Sequence, residues 1–386
     1  MHRTPLIAIL LLIPASIFAQ ASHGEWPDSF PIASHTLEAR LDQFYSPLDD
    51  WREWIFIDHE NQRVKMDLEG PWISLKEASN QTVLSLKKDS IPHITLDPGH
   101  IGGEWGPIEG RSFKVGDGPV FQEGDTVLSI AKRVQELLEN YPIRVSLARD
   151  SSDPIDPKRP SDYIEIAEQW AESRWPDLAK DDPERVKRVE SYGNRLFYRS
   201  DEIRARAEKI NNELKPDLVV CLHINASGWE DPENPSLTDE HNLHILVHGN
   251  YTPGELSGVE ARVELAHKIA NGTFESERKA AEVFLSAFQD ATELPPYIYG
   301  GNNALKLDEE GYLWARNLAA NRLYRSPVVF LEPYVANSVE GYERIQAGNY
   351  AGKKMIAGKM RLSLEEEYAQ ATVAALIELY SLEPIH

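Results

Sequence analysis

The chain has 386 residues, 41% hydrophobic and 26% charged, close to the usage of soluble globular proteins. Asp plus Glu number 62 against 40 Lys plus Arg, a formal charge of -22, and no basic patch interrupts the excess, so nucleic acid is excluded as a partner. One cysteine, Cys221, excludes an internal disulfide and a cysteine-built zinc cluster; any metal must be held by His and carboxylates.

Residues 1–21 begin with the basic pair His2-Arg3, continue through an unbroken apolar run from Leu6 to Ile13, and reach Ala19-Gln20-Ala21, a small-x-small cleavage pattern. This predicts a secretory signal peptide, too short in its apolar core for a membrane span. No cysteine follows the run, which excludes a lipoprotein anchor. The mature protein is expected to be exported, periplasmic or extracellular, without a stable membrane span.

Residues 22–90 contain WIFID, the turn-prone HENQ, then RVKMDLEG and PWISL. Period-2 alternation predicts strands there, forming a small β-rich region that either stands alone or decorates the main sheet. Residues 91–386 form the main domain. IPHITLD, IRVSLA, DLVVCLHI, NLHILVH and SPVVFLE read as strands. Val127, Ile130, Ala131, Val134, Leu137 and Leu138 recur at helical spacing, as do Ile203, Ala207, Ile210 and Leu214. Alternation of strands and helices predicts an α/β fold whose central sheet, mostly parallel or mixed, is flanked by helices on both faces. A terminal amphipathic helix is expected at about 359–381. An insertion at 151–198, rich in charge, Pro and Trp, has the length of a functional segment, and control of access to a site is its expected role. Residues 226–240 form a second, acidic interruption.

Four polar residues close buried or amphipathic segments. His100 follows IPHITLDPG, His223 follows DLVVCL, Glu332 ends SPVVFLE, and Glu123 precedes the helix that starts near Thr126. In an open α/β sheet the crevice beyond the carboxyl ends of the strands binds ligands. Two imidazoles and a carboxylate, with a position left for water, make a hydrolytic zinc site, and a further carboxylate serves as general base. His100, Glu123 and His223 fill the first role and Glu332 the second. Glu104 and Glu109 compete with Glu123 as the carboxylate ligand. Asp97 is placed to orient a ligand imidazole.

The blocks DPGHIGG, FQEGDTVLSIAKRVQELL, VSLARD, RSDEIRARAEKINNELKPDLVVCLHINAS and SPVVFLEPYVANSVEGYERI, in that order, resemble the zinc-dependent N-acetylmuramoyl-L-alanine amidases of the family-3 type. The resemblance spans about 91–346. It implies zinc bound by His100, Glu123 and His223, with Glu332 catalytic, and peptidoglycan as substrate, cut between N-acetylmuramic acid and L-alanine. The family's arginine ahead of the second His strand is matched to Arg199 or Arg204. Some members of this family act with an activator protein, and no docking segment for one is visible here. The chain departs from the family at Ile101, at the long stretch between His100 and Glu123, and at Pro333-Tyr334 after Glu332. Two alternatives stand beside this reading: a zinc exopeptidase on ordinary peptides and a non-catalytic wall-binding protein.

Other polar residues receive structural expectations. Cys221 is expected to be a packing residue. His241, His244 and His248 are expected at an edge or surface of the NLHILVH strand, with His244 and His248 on one face. Asn337 is expected to order the loop after Glu332, and LEEEYAQ to form a solvated helix face. Trp170, Trp175 and Trp229 are expected to be ordinary packing or surface aromatics rather than sugar platforms.

Overall fold

Runs such as Leu218–Leu222 and Val328–Pro333 have no alternation because they are buried on both faces of one sheet. The computed structural model describes residues 25–48, 51–76, 90–231 and 235–385. The predicted signal peptide, 1–21, lies outside the described residues.

The N-terminal strands are β1 (Ser29–Phe30), β2 (Phe56–Asp58), β3 (Arg63–Lys65) and β4 (Ile73–Leu75), with helix α1 (Ser34–Arg40) between the first two. They form one sheet in the order β1-β4-β3-β2. Phe30, Val64 and Ile73 share a continuous apolar core with Leu96 and Leu331 of the main sheet. The backbone N–H groups of Asn250 and Tyr251 donate to the carbonyls of Phe44 and Tyr45, and the Phe44 ring packs on Phe274 at 4.6 Å. The β-rich region thus has a sheet of its own, and its apolar side chains share the core of the main sheet.

The main sheet starts with β5 (His93–Pro98). Then follow α2 (Gly106–Glu109), the small hairpin β6 (Ser112–Phe113) and β7 (Phe121–Gln122), α3 (Glu123–Leu138) and β8 (Arg144–Leu147). The insertion holds α4 (Ile164–Arg174) and α5 (Pro183–Arg195) and runs through a π-helical turn at Leu196–Asp201 into α6 (Glu202–Glu208). Next come β9 (Leu218–Leu222), β10 (Leu243–Val247), α7 (Val259–Ala270) and α8 (Thr273–Thr292). The chain ends with β11 (Leu305–Lys306), β12 (Leu313–Ala315), α9 (Ala319–Leu323), β13 (Val328–Pro333), α10 (Val339–Ala347) and α11 (Leu364–Tyr380).

Among the described residues the main sheet has the order β11-β12-β10-β13-β9-β5-β8. β8, β5, β9 and β13 run parallel, β10 is antiparallel to β13, and β12 follows β10. The sheet is therefore mixed, within the predicted class. α3, α8 and α11 cover one face, and α6 and α9 the other. On α3 the buried residues Val127, Ile130, Val134 and Leu138 form one stripe, each such side chain contributing about 1.5–3 kcal/mol on burial.

After β5 the chain crosses by α3 to β8 on one side, whereas β9 lies on the other side of β5. Strand order therefore reverses between β5 and β9, and a crevice opens past their carboxyl ends. The insertion builds its own small core on this side. Trp170 stacks on Tyr192 at 4.0 Å, Trp175 lies edge-on to Trp170, and Ile101 is packed into the same cluster. These tryptophans pack within the insertion, as expected.

Candidate metal centre

His100 and His223 leave the adjacent strands β5 and β9 at the reversal point, and Glu123 opens α3 from above. The three place ligand atoms within 4.8 Å of one another. Glu123 Oε1 lies 3.1 Å from His223 Nδ1 and 3.4 Å from His100 Nε2. The two rings are nearly perpendicular, at 87°, with centroids 4.9 Å apart. Glu123 Oε1 thus stands within 3.4 Å of a nitrogen of each ring, which brings the three donors to one place. The set of two imidazoles and one buried carboxylate suits a zinc ion with an open position. A second group, His35, Glu38 and His59, also satisfies the distances. There the imidazoles stack at 15°, and Glu38 already has a cation in Arg52.

The closeness of the elements depends on glycine. A Cβ on Gly99 would stand 2.1 Å from His223 Cε1, and one on Gly124 would stand 2.2 Å from the carbonyl oxygen of Ile101. His100 itself has φ 58°, a left-handed conformation that costs a non-glycine residue energy. Two buried guanidiniums hold it there. Arg149 Nε donates to the carbonyls of Pro98 (3.1 Å) and His100 (2.9 Å), and its Nη2 to Gly124 (2.5 Å). Arg206 donates to Pro98 (2.7 Å) and His100 (2.5 Å). On the far side of the ring, Glu109 Oε2 lies 3.4 Å from His100 Nδ1 and accepts the Ile101 N–H at 2.8 Å. From α11, the Tyr368 hydroxyl donates to the His223 carbonyl and accepts its N–H, at 3.1 and 3.3 Å. The Phe330 ring stacks on His223 at 4.2 Å.

Of the competing carboxylates, Glu123 stands in the cluster, Glu109 stands behind His100, and Glu104 belongs to neither. Asp97 corrects the expectation. It touches no imidazole; its oxygens accept from Arg206 (3.0 Å) and Tyr324 (2.6 Å), so it steadies the turn through Arg206. Arg206 is the arginine bracing the His100 turn, whereas Arg204 pairs with Glu260 and Arg199 faces the cavity. Arg149, Arg206 and Tyr368 were missed by sequence reasoning, and Glu109 was named only as a competing ligand, not as the carboxylate behind His100. VSLARD, quoted only as a block, did contain Arg149, a charged residue directly after a strand.

Glu332, the penultimate residue of β13, lies one register step beyond Leu331, which pairs with Leu222, and so stands next to His223. Burial pushes its carboxyl well above the usual range; the positive charge of His223 opposes this and the negative charge of Glu123 adds to it. Burial also disfavours the Glu123 carboxylate, but His100 and His223 together hold its carboxyl below the usual range. Burial lowers His100, favouring the neutral imidazole that a metal ligand must be.

His244 lies on β10 and His248 directly follows it; they are 3% and 1% exposed, not at an edge. β10 lies inside the sheet, flanked by β12 and β13, and His244 is opposite Glu332. LEEEYAQ is likewise not a solvated face: Glu367 is buried against Arg344, and Glu366 pairs with Arg133. Cys221 is buried, and Asn337 ties the 227 loop through two hydrogen bonds to Ser227, as expected.

Two cavities meet at the cluster. One, of about 330 Å³, is lined by Tyr198, Arg199, Ile203 and Leu318. The other, of about 180 Å³, is lined by Asn225, His244, Tyr297 and Tyr299. His100, Arg111, Arg316 and Glu332 line both.

This is the arrangement of a hydrolase built around the carboxyl ends of a mixed α/β sheet. The model of the N-acetylmuramoyl-L-alanine amidase family matches residues 94–358, and the chain belongs to that family of enzymes. No curated protein matches it in sequence. Among solved structures it is similar to the apo form of the amidase Ami1 from Mycobacterium abscessus, at 16% identity and a TM-score of 0.41, covering 75% of this chain and 99% of that one. It is also similar to the CwlD amidase from Clostridioides difficile, solved in complex with the GerS lipoprotein, at 12% identity and a TM-score of 0.41, covering 75% and 98%. A third, amidase AmiC2 of Nostoc punctiforme, shares 14% identity with a TM-score of 0.36, covering 75% and 96%. No helix among the described residues is long and apolar enough to cross a membrane.

Proposed function

We propose that this enzyme is a zinc-dependent amidase that hydrolyses the bond between the lactyl group of N-acetylmuramic acid and L-alanine in peptidoglycan. His100, Glu123 and His223 are the zinc ligands and Glu332 is the general base. The observation that carries this reading is the convergence of three donors from three separate elements, with Glu332 and an open cavity on the free side. The residues 1–21 direct export, 22–90 buttress the main core, and 91–386 form the catalytic domain, interrupted by 151–198.

His100, Glu123 and His223 would hold the zinc, which when bound would supply Lewis acidity for the carbonyl and a lowered pKa, towards ~7, for water. Glu332 takes the proton released as the oxygen of water attacks the lactyl carbonyl carbon. It is suited to this because burial raises its proton affinity. It returns that proton to the alanine nitrogen as the C–N bond breaks; the remaining hydroxyl proton then passes to the same nitrogen, leaving a lactyl carboxylate on the glycan and an ammonium group on the peptide. Glu109, Arg149 and Arg206 hold the His100 ring and turn in place throughout. The test is metal analysis of the purified protein together with mass spectrometry of digested wall fragments. Release of intact stem peptides from glycan strands by a zinc-bearing protein is expected; cleavage only within peptides would make it a peptidase.

A further inference from the structure

Several arginines of this protein are paired with carboxylates: buried Arg206 with Asp97 and Glu202, buried Arg344 with Glu367, and half-buried Arg322 with Glu264. Two arginines of the larger cavity form no such ion pair. Arg199, on the π-helical turn before α6, is exposed and makes no hydrogen bond or ion pair among the described residues. Arg316, directly after β12, is half-buried. Its Nη1 reaches the Tyr299 hydroxyl at 3.4 Å and its guanidinium lies 5.5 Å from the Tyr299 ring centre, but it pairs with no carboxylate among the described residues. Both line the cavity that also contains His100 and Glu332. Ile203, Leu318, Ala319 and Ala320 supply its apolar wall.

In a chain of charge -22, two guanidiniums beside the candidate reaction centre stand outside any ion pair among the described residues, Arg316 acting on Glu332 only at longer range. A guanidinium is a planar fork of donors that matches a carboxylate. The nearby carboxyls of Glu332 and Glu109 would repel a polyanion, which leaves a single carboxylate as the fitting ligand.

We propose that Arg199 and Arg316 form a carboxylate subsite that receives the free α-carboxylate of the second stem-peptide residue. The inference rests on the amidase reading and names the part of the substrate that the site recognises. An acidic second residue joined onward through its side-chain carboxyl keeps its α-carboxylate free. That group lies about two residues, ~7 Å, from the scissile carbonyl in an extended peptide, within reach of the same cavity. The apolar wall receives the methyl group of the alanine between them. Amidation of the carboxylate removes its charge and turns an NH₂ donor towards guanidinium donors, leaving them unmatched.

The test uses the zinc-loaded enzyme and two muropeptides that differ only in whether this carboxylate is free or amidated. The free acid is expected to be cleaved with ~10–100-fold higher kcat/KM, the range for hydrogen bonds to charged groups. Arg199→Ala is expected to erase most of that preference by raising KM for the free acid, with kcat nearly unchanged and the amidated substrate little affected. Arg199→Lys should restore part of it. Metal-free protein should bind the released tripeptide in calorimetry, and Arg199→Ala should weaken this ~10-fold. Equal cleavage of both substrates by the unaltered enzyme overturns the subsite and leaves the amidase reading standing; so does a loss in Arg199→Ala that is the same for both. Cleavage of neither substrate overturns the amidase reading, and the subsite with it.

Discussion

Asp97 and Arg206 form a buried ion pair at 3.0 Å, and the same guanidinium reaches on to the carbonyl of His100. The carboxylate near the end of β5 therefore acts, through Arg206, on the backbone of His100 and not on its ring. Arg206→Met would leave Asp97 and Glu202 buried without their cation. A loss of about 3–5 kcal/mol is expected in urea unfolding, together with weaker zinc binding. A stability within ~1 kcal/mol of the unaltered protein would show that the pair has no such role.

Glu109 is expected to tune the ion without touching it. Its oxygen lies behind His100 Nδ1 and fixes the neighbouring N–H. Glu109→Ala should lower zinc affinity by ~10–100-fold in a competition titration with a chromogenic chelator. An affinity unchanged within error would remove Glu109 from the support of the ligand.

Glu332→Gln keeps the shape of the side chain and removes its basicity. The variant should bind zinc as before, while kcat falls by ~10²–10⁴-fold. Turnover at the normal rate would take Glu332 out of the mechanism.

Gly99→Ala tests how tightly the two strand ends approach. The added methyl would overlap the His223 ring, which must then move away from Glu123. Loss of metal with retained circular dichroism is expected, because the substitution strains one crossing rather than the sheet. Normal zinc content would contradict the close approach.

His244 gives a pH prediction. Burial, with a smaller contribution from Arg316, lowers its pKa to about 3. The folded state thus binds fewer protons than the unfolded state below about 6.5. The stability it contributes is fully present above that pH and is lost as pH falls towards about 3. His244→Phe has no proton to take up. Its stability relative to the unaltered protein should rise by up to ~1.4 kcal/mol per pH unit below 6.5, measured by urea unfolding at pH 7.5 and 5. A difference independent of pH would refute it.

Much of this was legible along the chain because His100, His223 and Glu332 end buried runs, and a polar residue there has few places to go except the crevice. What was not legible is tertiary. His244 and His248 alternate as on an edge strand, yet β10 gains its outer neighbour from β12, a three-residue strand too short to stand out. Glu367 reads as a helix-surface acid until Arg344 arrives from α10. Arg206 sits among four arginines between 195 and 206, and only the fold tells which one turns inward.

The reversal of strand order between β5 and β9 has a temporal consequence. His100 and Glu123 come from the first crossover, but His223 joins them only when β9 zips along β5, after the whole insertion has been threaded through. Until β9 pairs with β5 the three donors are not together, so the site waits on the docking of a strand that follows the insertion.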